Sequence, residues 1–208
     1  MMRRHVWLLA LGMLLVSVKL YGAHGAAKGA VIKGTITVKG RPTSDAVVSL
    51  EGVPAESIKA RRSGFGAKKA VMKQSEMKFV PRVLPVLVGT TVSFPNSDTT
   101  WHNIYSKSEA KNFDLGLYPP GQTRSTVFDK AGVVRILCNV HPAMEAFIVV
   151  KEHPFFAATD GRGNYRLDGA PLGQYRVQVW HPQYGTTETS VTLVREGEVL
   201  DVNFDLKK

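Results

Sequence analysis

The sequence predicts an all-β protein composed of two β-sandwiches. Short runs rich in β-branched residues recur from Ala30 onward, and Gly, Pro, Asn and Asp separate them. No apolar helical period extends beyond a turn or two, and regularly spaced short strands are typical of sandwiches and barrels. The clearest runs are Val31–Val38, Ala46–Leu50, Val83–Val88, Thr90–Phe94, Val133–Leu137 and Phe147–Val150.

The composition is that of a globular protein of one or two domains. Of 208 residues, 44% are hydrophobic and 21% are charged, which excludes a disordered or collagen-like chain. Cys138 is the single cysteine, so the sequence excludes an internal disulfide and a cysteine-rich zinc module. The formal net charge of +10 favours acidic partners or anionic surfaces.

Residues 1–26 are predicted to be a signal peptide. Two arginines in Met1–Arg4 precede the apolar run Val6–Val18, and small residues follow at 22–27. Because Lys19 ends the run well short of the about 20 apolar residues of a membrane span, we expect cleavage rather than a retained anchor. The single cysteine, Cys138, lies far downstream of the run and not at the predicted cleavage region, so a lipoprotein is excluded. The expected location is periplasmic or secreted, and the mature charge is about +7.

Residues 53–77 are predicted to form a basic linker or loop. Basic residues accumulate there without an acid between Glu56 and Glu76, at Lys59, Arg61, Arg62, Lys68, Lys69 and Lys73. A solvated loop, with room for a helical turn, is the simpler interpretation, and a docking patch for an acidic redox partner is the alternative. Nucleic acid is disfavoured, because aromatic residues other than Phe65 are missing and the chain is expected to be exported.

A possible metal site lies in two segments of the sequence. Cys138, His141 and Met144 are spaced three apart, and His102 stands upstream in Phe94–Asn103. Two imidazoles, one thiolate and a weak thioether form the ligand set of a blue-copper electron-transfer site. Strand alternation puts Cys138 on the apolar face of its strand, so the sulfur is expected at the interior end of a sheet.

Each of these residues also has an ordinary structural interpretation, and other chemistries use some of them. A lone buried cysteine is usually a small hydrophobe, and a single His or Met is usually part of a core or surface. Catalytic Cys–His chemistry needs a separate base and an oxyanion site, for which no pattern is present. Structural zinc requires four strong ligands, and a thioether is a poor fourth. The joint occurrence of the four residues favours copper.

Lys78–Lys151 resembles the cupredoxin family, specifically its plastocyanin and amicyanin branch. The residues that carry the resemblance are the run Phe79–Asn96 and the short Cys-x-x-His-Pro-x-Met loop beginning at Cys138, which is similar to that of amicyanin. The resemblance implies a Greek-key cupredoxin sandwich over residues 78–153. It also implies one mononuclear type 1 copper site.

The resemblance further implies a role for each site residue. His102, Cys138 and His141 would bind copper, Met144 would be the long axial ligand, and Asn103 would tie the two ligand loops together. Electrons would leave through an apolar patch around the second histidine. Candidates for this patch are Trp101, Pro142 and Ala143, with Tyr118, Pro119 and Pro120 as weaker ones.

Residues 154–206 resemble the carboxypeptidase regulatory-like, transthyretin-like sandwich. The pattern is Thr-Asp-x-x-Gly-x-Tyr from Thr159, followed by Pro-x-Gly-x-Tyr from Pro171. Asp160 is predicted to form a tight turn rather than a calcium loop, because the spacing does not fit an EF-hand. His153 and His181 are interpreted as structural or surface residues.

Residues 30–52 look like the opening strands of that same sandwich. The preferred organisation is therefore a cupredoxin inserted into a split regulatory-like sandwich. In the alternative, the N-terminal strands belong to the cupredoxin sheet and the domains follow one another.

Two classes of function fit this reading. The first is a periplasmic blue-copper protein that carries single electrons between a redox donor and acceptor. The second is a copper storage or handling protein, or a scaffold whose sandwich recruits a partner. We expect no enzymatic activity and no catalytic residues, since four protein ligands leave no open position for a substrate. We expect no nucleic-acid partner and no membrane anchor after signal cleavage.

Overall fold

A computed structural model of the protein describes residues 29–62 and 68–207, so the predicted signal peptide lies outside the described residues. The elements, in chain order, are β1 (Ala30–Val38), β2 (Arg41–Pro42), β3 (Val47–Glu51), α1 (Ala55–Arg62), β4 (Lys69–Val71), β5 (Lys73–Ser75), β6 (Lys78–Val80), β7 (Val83–Leu87), β8 (Thr90–Pro95), β9 (His102–Ser108), β10 (Lys111–Tyr118), β11 (Thr123–Phe128), β12 (Gly132–Leu137), β13 (Glu145–Lys151), β14 (Phe156–Ala158), β15 (Asn164–Ala170), β16 (Gly173–His181), β17 (Gly185–Leu193), β18 (Val199–Asp201) and β19 (Phe204–Leu206). The all-β prediction is confirmed.

Strands from both ends of the described chain form one sandwich, which we call the outer sandwich. In its first sheet β1 pairs antiparallel with β15 and parallel with β18 and β19, and β2 also pairs with β1. In its second sheet the order is β14-β3-β16-β17. Ile32 and Ile36 of β1 pack in one apolar core with Val177 and Val179 of β16. Residues 30–51 are thus hydrogen-bonded to strands that follow residue 156.

Strands β4 to β13 form a second sandwich, which we call the central sandwich. One sheet has the order β10-β9-β12-β13-β7, with β7 parallel to β13, and the other has the order β11-β8-β4. The side chains between the two sheets include Val92, Phe94, Val134, Ile136 and Ile148, all fully buried. The hairpin of β5 and β6 is bridged to the end of the second sheet through Gln74 and Asn96.

The two sandwiches pack together at β13. Ile148 and Val150 face the core of the central sandwich, whereas Phe147 and Val149 face the outer one. The ring of Phe147 lies 5.4 Å from that of Trp180, and Val149 clusters with Val47. This burial of both faces explains why the run from Phe147 to Val150 is apolar without alternation.

The described residues of the segment 53–77 contain more regular structure than the predicted loop with a helical turn. Helix α1 occupies Ala55–Arg62, where Ala, Glu, Lys and Arg are strong helix formers and Glu56 lies in the first turn. Strand β4 pairs parallel with β8, so the central sandwich begins before the expected boundary at residue 78. Residues 69–74 alternate between exposed and buried positions: Lys69, Val71 and Lys73 are exposed, whereas Met72 and Gln74 are buried. The lysines at the exposed positions make this alternation hard to recognise in the sequence.

Among the described residues, none of the helices has the length and apolar character needed to cross a membrane.

Candidate metal centre

Cys138 reaches the centre because it follows β12 on the buried side of that strand. Val134 and Ile136 are fully buried and Cys138 is 3% exposed, whereas Val133 and Arg135 face outward. The predicted alternation is confirmed. The thiol therefore lies at the end of the central core, directly after the last pairing residue of the strand.

His102 comes from the neighbouring strand and is fully buried. Its Nε2 lies 2.8 Å from Oδ2 of Asp98, so this ring nitrogen carries the proton that the carboxylate accepts. The other nitrogen, Nδ1, then has a free lone pair. It lies 3.8 Å from Sγ of Cys138 and 3.1 Å from Nδ1 of His141.

His141 and Met144 lie in the loop between β12 and β13. The amide of Met144 donates to the carbonyl of His141 at 2.9 Å, which closes a turn. This turn sends the side chain of Met144 into the core cluster that contains Cys138, where Met144 is 1% exposed. His141 is only partly buried, and Pro142 and Ala143 between the two residues are exposed.

The donor set fits a soft cation. The ligating atoms of His102, Cys138 and His141 all lie within 4.8 Å of one another. Two nitrogens held about 2.0 Å from one ion at a tetrahedral angle would lie about 3.3 Å apart, close to the observed separation of the imidazoles. Thiolate and imidazole together suit copper or zinc, and the buried thioether of Met144 favours copper.

Asn103 connects the two loops that carry the centre. It is 4% exposed, and its Oδ1 accepts the backbone N–H of Asn139 at 2.6 Å. Its Nδ2 lies 3.4 Å from Oδ1 of Asp114 on β10. The position after His102 is therefore hydrogen-bonded to the position after Cys138.

Sequence reasoning missed Asp98. Burial favours a higher pKa for this carboxyl, but hydrogen bonds from His102 and from the backbone amides of Met77 and Glu76 outweigh it and lower the pKa. The available signal was its spacing of four residues before His102. That signal is weak by itself, because the segment is not helical.

Four of the six residues expected around the exit are exposed, namely Trp101, Pro120, Pro142 and Ala143, and His141 is partly buried. Trp101 is 51% exposed, and Pro142 and Ala143 are exposed as well. The weaker candidate Tyr118 is fully buried, so its assignment to the surface was wrong. Its hydroxyl donates to the carbonyl of Phe94 and accepts from Nε2 of Gln74, which fixes it in the core.

The remaining exit residues are less prominent, and two apolar residues were missed. Pro119 is partly buried and Pro120 is exposed. Leu117, which pairs with Asn103, is 52% exposed, and Val140 is 46% exposed. We call the exposed set Trp101, Leu117, Val140, Pro142 and Ala143 the apolar end.

The basic segment begins at the opposite end of the central sandwich and runs toward the centre, because Gln74, which follows Lys73, bridges to Asn96. Lys69 pairs with Thr91 near the start of β8, whereas the His102 loop follows the other end of that strand. Roughly 13 Å of strand separate Thr91 from Pro95. A cavity between α1 and the sandwich is lined by Lys59 and by Val88, which follows β7 at this same end. Arg61, Arg62 and Lys68 precede Lys69 in the chain, so the part of the basic segment up to Lys69 does not surround the candidate centre.

Both of the other described histidines lie away from the centre and are buried. Nε2 of His153 lies 3.9 Å from Oε2 of Glu51, and Nε2 of His181 lies 3.3 Å from the hydroxyl of Thr43. Asp160 forms the expected turn, since its Oδ1 accepts the backbone amides of Arg162 and Asn164 at 2.8 Å each. Those contacts are structural.

Comparison with protein families identifies both parts of the chain. Residues 67–151 match the family of copper binding proteins of the plastocyanin/azurin type, and residues 131–207 match the carboxypeptidase regulatory-like domain. Both resemblances inferred from the sequence are confirmed. The two matches overlap over 131–151, which the pairing of β12 with β13 assigns to the central sandwich.

Several solved structures are similar to part of the chain. A purple cupredoxin from Nitrosopumilus maritimus is 26% identical, with a TM-score of 0.36 over 39% of this chain and 99% of that one. Amicyanin from Paracoccus versutus is 23% identical, with a TM-score of 0.38 over 43% and 87%. A copper-containing nitrite reductase from Thermus scotoductus is 26% identical, with a TM-score of 0.40 over 49% of this chain but only 28% of the enzyme. No curated protein matches the sequence.

Proposed function

We propose that this protein, which joins a copper-binding domain of the plastocyanin/azurin type to a carboxypeptidase regulatory-like domain, carries single electrons between other redox proteins. The observation that carries the proposal is the convergence of His102, Cys138 and His141 at one buried point. These three side chains are the proposed copper ligands, and Met144 is the proposed axial ligand. Copper bound there would supply a one-electron couple between Cu(II) and Cu(I).

The surrounding residues suit a centre whose ligands move little. Asp98 holds the ring of His102, Asn103 ties the two ligand loops together, and Cys138 lies against a fully buried strand face. Rigid supports of this kind keep ligands oriented and tune the metal. They also keep water away from the sulfur, because the core around it is apolar.

The apolar end supports an exit for electrons near His141. Trp101, Pro142 and Ala143 are exposed there, next to a ligand that is itself only partly buried. An exposed apolar patch of this kind is typical of a surface that meets a partner transiently. We propose that donor and acceptor redox proteins dock on this end. The protein is proposed to act in the periplasm or outside the cell and to have no enzymatic activity of its own.

The first experiment is the visible spectrum of the copper-loaded protein, followed by a redox titration of the same sample. We expect an intense thiolate-to-Cu(II) band that disappears in Cys138→Ser and a reversible one-electron couple. A matched pair of histidine variants controls for folding. His102→Gln should lose the band, whereas His153→Gln, also buried but outside the centre, should keep it.

Two results would contradict the electron-carrier proposal. A wild-type protein that binds copper without the thiolate band would exclude the proposed ligand set. A protein that holds Cu(I) tightly and gives no reversible couple would instead be a copper store.

The apolar end is tested through electron self-exchange between two copies of the protein. Ala143→Glu places like charges face to face when two copies meet there, so we expect self-exchange to fall by about tenfold or more. Val127→Glu makes a similar apolar-to-acid change beside Thr91, at the far end, and should leave the rate unchanged. Equal rates for both variants would show that electrons leave elsewhere.

A further inference from the structure

Asp98 lies between the candidate centre and the Glu76–Met77 turn, which joins β5 to β6. Its Oδ2 lies 2.8 Å from Nε2 of His102, and its side chain is only 11% exposed. The same carboxylate accepts the backbone amide of Glu76 at 2.5 Å and that of Met77 at 3.0 Å. Three N–H groups therefore point at one carboxylate, which offers about four lone-pair positions.

The turn that supplies two of these donors has an unfavourable backbone conformation. Glu76 has a φ of 55° and Met77 a φ of 53°, both in the left-handed region that non-glycine residues rarely adopt. The two residues form the two-residue loop between the paired residues Ser75 and Lys78, and tight hairpin loops of this length favour a positive φ at both positions. Both side chains are exposed, and the turn directs both backbone amides at Asp98, where hydrogen bonds to a charged acceptor are stronger than neutral ones.

The hydrogen bonds that hold the Asp98 carboxylate decide which nitrogen of His102 is available to a ligand. With its two turn contacts in place, the carboxylate is held where it accepts the proton on Nε2, so the lone pair lies on Nδ1. Nδ1 is the atom that faces Cys138 and His141. A carboxylate on the outer nitrogen also makes the ring a stronger electron donor, which favours the more highly charged metal ion.

We propose that Asp98 is a positioning residue, clamped by the Glu76–Met77 turn, that fixes the tautomer of His102 and lowers the reduction potential of the centre. The statement about potential rests on the proposed function. The statement about the tautomer does not, because it concerns the protein's own hydrogen bonds.

The test compares Asp98→Asn with the wild-type full chain. The amide keeps the shape and an oxygen acceptor for the turn but removes the charge. Asp129→Asn is the matched control, because it removes one negative charge from an exposed site that pairs with Lys111. Two readouts are needed: the reduction potential of the copper-loaded protein, and the ¹⁵N signals of His102 in the metal-free protein.

We expect Asp98→Asn to shift the ratio of Cu(II) to Cu(I) affinity about tenfold toward Cu(I), which raises a one-electron potential by about 59 mV. We expect wild-type His102 to show a slowly exchanging proton on Nε2 that exchanges faster in Asp98→Asn. Asp129→Asn should change neither readout.

The outcomes separate this inference from the proposed function. A reversible wild-type couple with an unchanged potential and an unchanged ¹⁵N pattern in Asp98→Asn would overturn the inference and leave the proposed function standing. A wild-type protein without a reversible couple, but with the expected ¹⁵N change, would defeat the proposed function and retain the positioning role.

The contribution of the turn is tested with Met77→Gly. Glycine adopts a positive φ without strain and keeps the backbone amide, so both readouts should stay at wild-type values. A shift in potential as large as that of Asp98→Asn would show that the Met77 side chain, rather than the amide, supports the centre.

Discussion

The Nδ1 atoms of His102 and His141 lie 3.1 Å apart although 39 positions separate the two residues in sequence. Their rings meet at 61°, with centroids 4.8 Å apart. Asp98 engages the far side of the His102 ring, so the lone pair of its Nδ1 points at His141. The same arrangement presents two imidazoles and the Cys138 thiol to one cation.

In strand β12, which leads to Cys138, truncating a side chain should lower the free energy of unfolding on the buried face but much less on the exposed face. Ile136→Ala removes a fully buried side chain from the central core, so we expect the free energy of unfolding to fall by about 2–5 kcal/mol. Val133 lies on the same strand but is 37% exposed, and Val133→Ala should cost well under half as much. Denaturant unfolding of the metal-free protein measures both changes. Equal losses would contradict the assigned faces.

The link between the two ligand loops should contribute to stability. Asn103→Ala leaves the backbone amide of Asn139 without its acceptor, so we expect a loss of about 1–3 kcal/mol in the free energy of unfolding. Asn112→Ala, at an exposed position of β10, is the control and should change little. Thermal unfolding with and without copper measures the effect. No difference between the two variants would mean that the loops are held together by other contacts.

The pairing of the N-terminal strand with the C-terminal part of the chain depends on Gly163. This residue has a φ of 75°, and a Cβ there would lie 2.4 Å from the carbonyl oxygen of Ile36. Gly163→Ala should therefore lower the free energy of unfolding by about 1–3 kcal/mol or more. Gly161, in the same turn, has open space around it, so Gly161→Ala should be nearly neutral. A neutral Gly163→Ala would contradict the close approach of β1 to this turn.

Glu51 should stabilise the junction in a pH-dependent way. His153, Lys151 and Ser49 hold the pKa of Glu51 below its ordinary 4.5 despite partial burial, with Nζ of Lys151 2.7 Å from Oε1. Since the folded pKa is below the unfolded one, the stabilisation is complete above about pH 4.5 and is lost as the pH falls below it. Glu51→Gln should therefore lower the free energy of unfolding by about 1–2 kcal/mol at pH 7 and by progressively less in acid.

Unfolding curves from pH 3 to pH 7 measure this dependence, with Glu196→Gln at an exposed position as the control. A destabilisation by Glu51→Gln that is constant across this range would show that the carboxylate acts through packing and not through its charge.

The parts of the fold that the sequence predicted have strong local patterns. β-Branched runs gave the strands near Val31, Thr90 and Val133 almost at their observed bounds, because alternation and turn residues mark both ends of a strand. The extent of helix α1 was missed, since five of its eight residues are polar and the sequence shows no apolar period. Strand β4 was missed because Lys69 and the lysines on either side of the strand, Lys68 and Lys73, dominate the local composition.

The ligand candidates were visible in the sequence, and their supports were not. Cys138, His141 and Met144 fall within one short loop, so their spacing alone restricts where their side chains lie. The hydrogen bonds from Glu76 and Met77 to Asp98 join segments that are 21 or more positions apart. Contacts over that distance depend on which strands become neighbours in the fold. A local sequence pattern does not contain this information.

The sequence by itself determined the strand content, the apolar face that leads to Cys138 and the donor types near the centre, because these follow from side-chain chemistry and from a period of two. Tertiary structure alone decided that Asp98 holds His102, that Tyr118 is buried, and that Lys69 lies at the end of β8 away from the centre. Each of these depends on the order and direction of strands in a sheet. That order is set by how the whole chain buries its apolar surface, and no single segment contains it.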